Sequence, residues 1–265
     1  NEGIVNRSQT TDFVVYVWDT DAKQVAPEGS RGRVYVSAYT FDQWESLGLA
    51  DYWYTNSSGY LVRTFTTSDW CSDESKYYLG LHQWKGTIEG ADYVKDNESS
   101  TWNFTLMGSL YNTIFYPIGI NFSKELTSSI TIKGYIQDDC GNNITTADEV
   151  YFNLTHGSYT YTCTATVVGE EYHCDFPTSS APLGWYNITM FSKKDLYWDG
   201  TAFVQNAFFL ASVPNIENVK VSPFKGPWGL SPFNFSANIT DEDQNFVKIY
   251  HWLRKSGSYN LEYSD

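Results

Sequence analysis

Seven triplets of the form Asn-apolar-Ser/Thr recur along the chain, centred on Phe104, Phe122, Ile144, Leu154, Ile188, Phe235 and Ile239. A polar, apolar, polar triplet has the period of a β-strand, whose successive side chains point to opposite faces. An inward Phe or Ile forces its neighbours outward, so each triplet predicts a half-buried strand with an exposed asparagine. Each is also an N-glycosylation acceptor. The apolar-centred acceptors are Asn103, Asn121, Asn143, Asn153, Asn187, Asn234 and Asn238, and Asn6, Asn56 and Asn97 bring the total to ten of eighteen asparagines. Chance would give about three or four at this frequency of Ser and Thr. The excess predicts a heavily glycosylated extracellular or cell-surface chain.

Composition agrees with strands. Aromatic residues make up 18% of the 265 residues, with Tyr 21, Phe 16 and Trp 10, and rings suit a pleated, half-buried surface. A net charge of -14 repels a phosphate backbone and excludes nucleic acid as a partner. The longest apolar stretch, Ala207 to Val213, falls far short of the ~18 residues of a spanning helix, so no membrane span is expected. The sequence opens at Asn1 without a charged and then apolar leader, which predicts that any signal peptide has been removed or lies outside it.

Cys71, Cys140, Cys163 and Cys174 lack the C-x-x-C spacing of a zinc or redox motif and fit an oxidising compartment. A turn at Val168-Gly169 pairs 167 with 170 and hence Cys163 with Cys174 directly across a hairpin, which predicts a cross-strand disulfide. Cys71 and Cys140 are then bonded to each other, bonded to another chain, or free.

Length exceeds that of one sandwich of about 100 residues, and turn signals divide the chain in three. Residues 1–120 hold candidate strands at Asp12 to Asp19, Arg33 to Thr40, Tyr52 to Tyr54, Tyr60 to Thr66, Lys76 to Trp84 and Thr101 to Met107, with a short helical insertion from Phe41 to Gly48. Residues 121–213 begin at Phe122 and hold Ser129 to Asp138, Glu149 to Thr155, Tyr159 to Val167, Tyr172 to Phe176, Trp185 to Phe191 and Phe203 to Leu210. After Val213-Pro214-Asn215, residues 214–265 supply only part of a third sandwich, from Ile216 to Val221, Phe233 to Thr240 and Phe246 to Leu253. The fold class expected is all-β: tandem antiparallel sandwiches.

The run Val14 to Val25, with Gly59 to Phe65 and Tyr77 to Leu81, resembles the carboxypeptidase-regulatory-like (prealbumin-like) sandwich of surface proteins. Ile130 to Asn143, Tyr172 to Phe176 and Leu183 to Met190 are similar to bacterial Ig-like repeats. Pro232 to Asp243 and Trp252 to Lys255 resemble repeats of archaeal cell-surface and S-layer-associated proteins. The resemblance implies extracellular architecture and brings no catalytic residue with it.

No residue pattern supplies an enzyme. His82, His156, His173 and His251 lie far apart, and there is no nucleophile elbow, P-loop or dinucleotide fingerprint. Calcium is the one ion with a candidate set, because Asp241, Asp243 and Asn245 offer hard oxygens at alternate positions, with Asp19, Asp21 and Asp138-Asp139 in comparable turns; turn preference alone also places Asp and Asn there. Tyr52-Trp53-Tyr54 and Tyr197-Trp198 must each turn at least one ring away from a core, which raises a sugar-binding alternative. In the last segment Phe233, Phe235, Ile239, Val247, Ile249 and Trp252 form an apolar face that a single small sheet does not bury. These features predict a non-catalytic structural glycoprotein of the cell surface, an S-layer, stalk or filament subunit whose partners are copies of itself or other surface-layer proteins. The alternative is an adhesin or carbohydrate-binding accessory module.

Overall fold

The computed structural model describes residues 3–40, 43–44, 52–89, 95–226, 232–242, 247–248, 250–255 and 258–264, with backbone alone from 251 onward. The chain is all-β, with one short helix, Thr67–Cys71, among the described residues. The N–H of Thr66 donates to Asp69 Oδ2 at 2.7 Å at the start of that helix, which satisfies a donor the first turn leaves over. The helical insertion expected from Phe41 to Gly48 lies mostly outside the described residues; of it, Trp44 bridges Ser37 in antiparallel fashion.

One strand organises the molecule. Trp102–Tyr116 runs for 15 residues, well past the Met107 at which its alternation was expected to end. Its first half pairs with Gly80–Ile88, and in parallel with Gly3–Asn6; its second half pairs with Ser129–Asp138. A single sheet of ten strands among the described residues therefore passes through both sandwiches.

Each half of that sheet is covered differently. Over the first half lie the pair Thr11–Tyr16 and Tyr60–Phe65 and the helix. Phe13, Phe65, Trp70, Tyr77 and Phe104 fill the space between, in edge-on and stacked contacts such as Phe65 to Trp70 at 4.3 Å, arrangements favoured by the ring quadrupoles. Over the second half lies a five-stranded sheet in the order Ile120–Ser123, Gly200–Ala211, Gly184–Lys193, Glu149–His156 and Tyr159–Thr164. Between the layers Ile130, Ile132, Phe152, Leu154, Phe176, Tyr186, Ile188 and Phe208 are almost wholly buried. The first core ends on the long strand at Leu106 and the second begins at Leu110.

The hairpin near Gly169 differs from expectation. Val168 pairs with Glu171 and Val167 with Tyr172, so the turn is Gly169-Glu170. Gly169 takes φ +66° at the first of two turn positions, where a II′ hairpin favours glycine. Beyond Thr164 the strand does not continue in the same sheet. Tyr159–Thr164 pairs with Glu149–His156 in the five-stranded layer, whereas Thr166–Val168 pairs with Glu171–Pro177 in the larger sheet, so the chain changes layers at Ala165. Cys163 and Cys174 are bonded, but across the sandwich from one layer to the other; the expectation of a cross-strand bond within one hairpin is corrected.

After Pro214, Asn215–Ser222 pairs with Asn234–Thr240, and Tyr250–Lys255 pairs with Ser258–Ser264. The apolar residues described here are poorly covered, with Ile216, Val219 and Phe235 at 59%, 74% and 49% exposure.

Candidate functional site

The most elaborate constellation of polar groups lies where the two sandwiches meet. Gly3–Asn6 adds in parallel to the long strand, and the next residue, Arg7, anchors its N–H on Met107 O at 2.8 Å. This turns the Arg7 side chain into the crevice between the layers, where it is 1% exposed. Its Nε donates to both Asp139 oxygens at 3.1 and 3.0 Å, and Nη2 donates to Asp139 Oδ1 at 2.7 Å and to Asp138 Oδ2 at 2.8 Å. Nη1 reaches Glu74 Oε2 at 3.2 Å. The guanidinium thus joins an acid from the first sandwich to two from the turn that closes Ser129–Asp138. Burial by itself lowers the Arg7 pKa, but the hydrogen bonds and charge of Asp139, then Asp138, outweigh it and raise the group above its ordinary value. The cation is locked in.

The turn that presents these carboxylates is itself fixed. Asp138 Oδ1 accepts from the N–H of Cys140 and of Asn142, both at 2.9 Å. Asn142 Nδ2 reaches back to Glu74 Oε1 at 2.6 Å. Beside them Cys140 is bonded to Cys71 at the end of the helix, with Cα atoms 5.4 Å apart, so of the alternatives left open by the sequence these two cysteines take each other. Tyr197 leans on the same spot from the second sandwich. A Cβ on Gly108 would meet its ring at 2.7 Å, so this approach requires glycine. Burial, and next the Asp138 charge, push the Tyr197 phenol up.

Glu74, Asp138 and Cys140 bring potential ligand atoms within 4.8 Å of one another. As a metal site the group fits poorly, because the Cys140 sulfur is in a disulfide and the carboxylates already face Arg7. The Asp138-Asp139 turn is thus a guanidinium site rather than a calcium loop. Asp19 Oδ1 accepts from the N–H of Asp21 and Ala22 at 2.9 Å each, an ordinary Asx turn. Asp241 accepts from Ser212 Oγ at 2.8 Å, while Asp243 and Asn245 lie outside the described residues. The three described histidine rings serve the framework: His82 contacts the carbonyls of Ser37 and Tyr78, His156 that of Trp185, and His173 the Glu171 carboxylate.

The acceptor asparagines fall into two settings. Asn103, Asn153 and Asn187 flank middle residues Phe104, Leu154 and Ile188 that are at most 2% exposed, so their own side chains stand on outer faces. Asn6, Asn56, Asn97, Asn121 and Asn143 occupy turns, short strands or sheet edges. Asn234 and Asn238 alternate as expected in Asn234–Thr240, yet the intervening Phe235 is itself exposed. Of the aromatic runs, Tyr54 and Trp198 point outward at 61% and 46% exposure, whereas Tyr52 lies under the guanidinium groups of Arg31 and Arg33 at 4.3 and 4.1 Å. A further group, unforeseen from sequence, is formed by Tyr16, Trp18 and Tyr60, whose rings neighbour one another on the open side of the first sandwich. No helix among the described residues is long and apolar enough to cross a membrane.

No family model matches the sequence, and no curated protein matches it. Solved structures give distant likenesses. One is a bacterial ice-binding adhesin studied for retention on the host cell surface, 11% identical over 82% of this chain and 65% of that one, with a TM-score of 0.28. Another is invasin, a bacterial integrin-binding protein, 13% identical over 98% and 61% with a TM-score of 0.34. A third is the three N-terminal domains of the outer capsid protein Hoc of bacteriophage RB49, 12% identical over 97% and 80% with a TM-score of 0.35. The chain spans less than two thirds of the adhesin and of invasin, and likeness at this level carries nothing about activity or partners.

Proposed function

We propose that this chain is a stiff spacer from a non-catalytic structural glycoprotein of the cell surface, of the kind that builds an S-layer, a stalk or an extracellular filament. The observation that carries the reading is the junction: a shared strand, a disulfide and a buried guanidinium join two sandwiches that could have been left on a linker. Domain contacts within a chain are ordinarily loose enough to permit relative motion. A fastening of this kind suits a protein that must hold distance and direction. Two disulfides and ten glycan acceptors are in keeping with an oxidising, extracytoplasmic site. In the last segment, poorly covered apolar side chains favour completion by further chain or by another copy.

Intact-mass and glycopeptide analysis of protein taken from its native cell surface tests this. Multiple occupied acceptors and no free thiol are expected; unglycosylated, reduced protein from the cell interior would overturn it. The exposed rings of Tyr16, Trp18 and Tyr60 favour the second reading, an adhesin or carbohydrate-binding module. Under that reading Trp18→Ala abolishes binding of the full chain to a glycan panel; under the first there is no binding to lose.

A further inference from the structure

The outer face of the five-stranded sheet is chemically unlike the rest of the molecule. The protein is 18% charged with a net charge of -14, yet these five strands contain only Glu149 and Lys193 among Asp, Glu, Lys and Arg, and those two pair with each other at one end. Elsewhere the outward positions are uncharged, mostly Thr, Asn and rings, with Gln205 among them. Tyr151 stacks on Phe191 at 4.9 Å, Trp185 packs edge-on to Phe209 at 5.3 Å, and Phe203 and Trp185 are 58% and 45% exposed. The edge strand Tyr159–Thr164 has neither a charge nor a proline. An uncharged aromatic face with such an edge is the kind of surface that natural proteins cover.

What covers it stands on the same face. Asn187 lies on the central strand and Asn153 on its neighbour, one row apart, since Asn153 is opposite Thr189 and Asn187 opposite Thr155. Asn121 stands at the edge, paired with Phe209. Asn187 Oδ1 accepts from the N–H of Asn206 at 2.8 Å, which uses the oxygen of the carboxamide and leaves the nitrogen, the atom that takes sugar, to the other side. Asn153 Oδ1 is likewise the atom that accepts from Thr162. Each asparagine has a ring two residues earlier on its own strand and face, Tyr151 and Trp185. Two strand residues span about 6.6 Å, within reach of the first sugar of an N-linked chain.

We infer that this face is a built glycan-bearing surface, on which the proximal pyranose at Asn187 lies with its C–H face on Trp185 and that at Asn153 on the Tyr151–Phe191 pair. The inference rests on the glycoprotein reading and deepens it by naming the face and the rings. The sugar supplies the cover and the solubility that the missing charges would otherwise give.

The test uses the full chain secreted through an N-glycosylating pathway. Occupancy of Asn153 and Asn187 is read by glycopeptide mapping and Tm is read by calorimetry. Thr189→Ala, which removes the acceptor motif and keeps the hydrogen bond from Asn206 to Asn187, is expected to lower Tm by a few degrees in the wild-type background and to leave it unchanged beside Trp185→Leu, which stays apolar but has no flat ring. Should Trp185→Leu not fold, contacts between sugar and indole protons in the unmutated glycoprotein give the same answer by NMR. Enzymatic removal of the glycans is expected to produce self-association. If Asn153 and Asn187 are bare while Asn103 and Asn143 carry sugar, the inference falls and the glycoprotein reading survives; if all ten are bare, both fall. Equal Tm losses with and without Trp185, or absence of sugar contacts at the indole, overturn the stacking.

Discussion

The chain passes from one sandwich to the next twice, and the two passages are built in opposite ways. At the first, backbone pairing continues without interruption through Trp102–Tyr116, a guanidinium is sealed among three carboxylates, and a disulfide spans the gap. At the second, Val213 is 49% exposed, and the polar ties among the described residues include Val213 N–H to Glu125 Oε2 at 2.9 Å and Ser212 Oγ to Asp241 Oδ1 at 2.8 Å. The difference teaches that alternation is enough to make strands, but rigidity between sandwiches needs covalent or buried polar links placed at the boundary itself. The first two sandwiches form one mechanical unit, and the segment after Pro214 is attached to it.

Breaking the first passage should have the largest effects. Arg7→Ala leaves Asp138 and Asp139 buried opposite no cation, and loss of one partner of a buried ion pair costs about 3–5 kcal/mol. Denaturant unfolding should report that loss, and Asp139→Ala should lose much of the same amount, because both substitutions break one network. A loss below about 1 kcal/mol would mean that the cluster is not sealed from water. Replacing Cys71 and Cys140 together by Ser opens a link with a sequence separation of 69, for which chain entropy gives about 4 kcal/mol as the expected loss. The corresponding change at Cys163 and Cys174, separated by 11, should cost about 3 kcal/mol. Because the two cores open as one unit, both should lose protection by that same amount, and a loss confined to the second core would contradict the unit.

The second passage should respond weakly, and to pH. Slight burial pushes the Glu125 carboxyl up, but hydrogen bonds from its own backbone N–H and that of Val213 outweigh this and hold it below its ordinary value. A carboxyl depressed in the folded state contributes stability above its unfolded pKa of about 4.3 and loses it as pH falls through the folded value. Because the group is largely solvated, the effect stays below about 1 kcal/mol. A pH series on wild type and Glu125→Gln should show that small difference at constant size above about pH 4.3, shrinking as pH falls below it.

How much of this could be read in the sequence depended on whether a signal was local. Ser129–Asp138 alternates strictly between core and surface, so its limits followed from pattern alone. Trp102–Tyr116 is less regular, because its inward row is broken by Gly108 and Asn112 where it passes from one core, ending at Leu106, to another, beginning at Leu110, and such a break reads in the sequence as the end of a strand. The pairing of Cys163 with Cys174 was legible while its geometry was not, because the layer change at Ala165 is set by tertiary packing. Arg7 stands inside a glycan acceptor and reads as a surface residue. The one hint was the doublet Asp138-Asp139 at the end of a buried strand, where two carboxylates require a cation that the local sequence lacks.

Native-state hydrogen exchange in rising denaturant, with both disulfides intact, tests the mechanical unit most directly. Tyr60–Phe65 of the first core and Gly184–Lys193 of the second should lose protection together, at one free energy, while Asn215–Ser222 exchanges well before them. Separate opening of the two cores, with Arg7 and the Cys71–Cys140 bond in place, would contradict it.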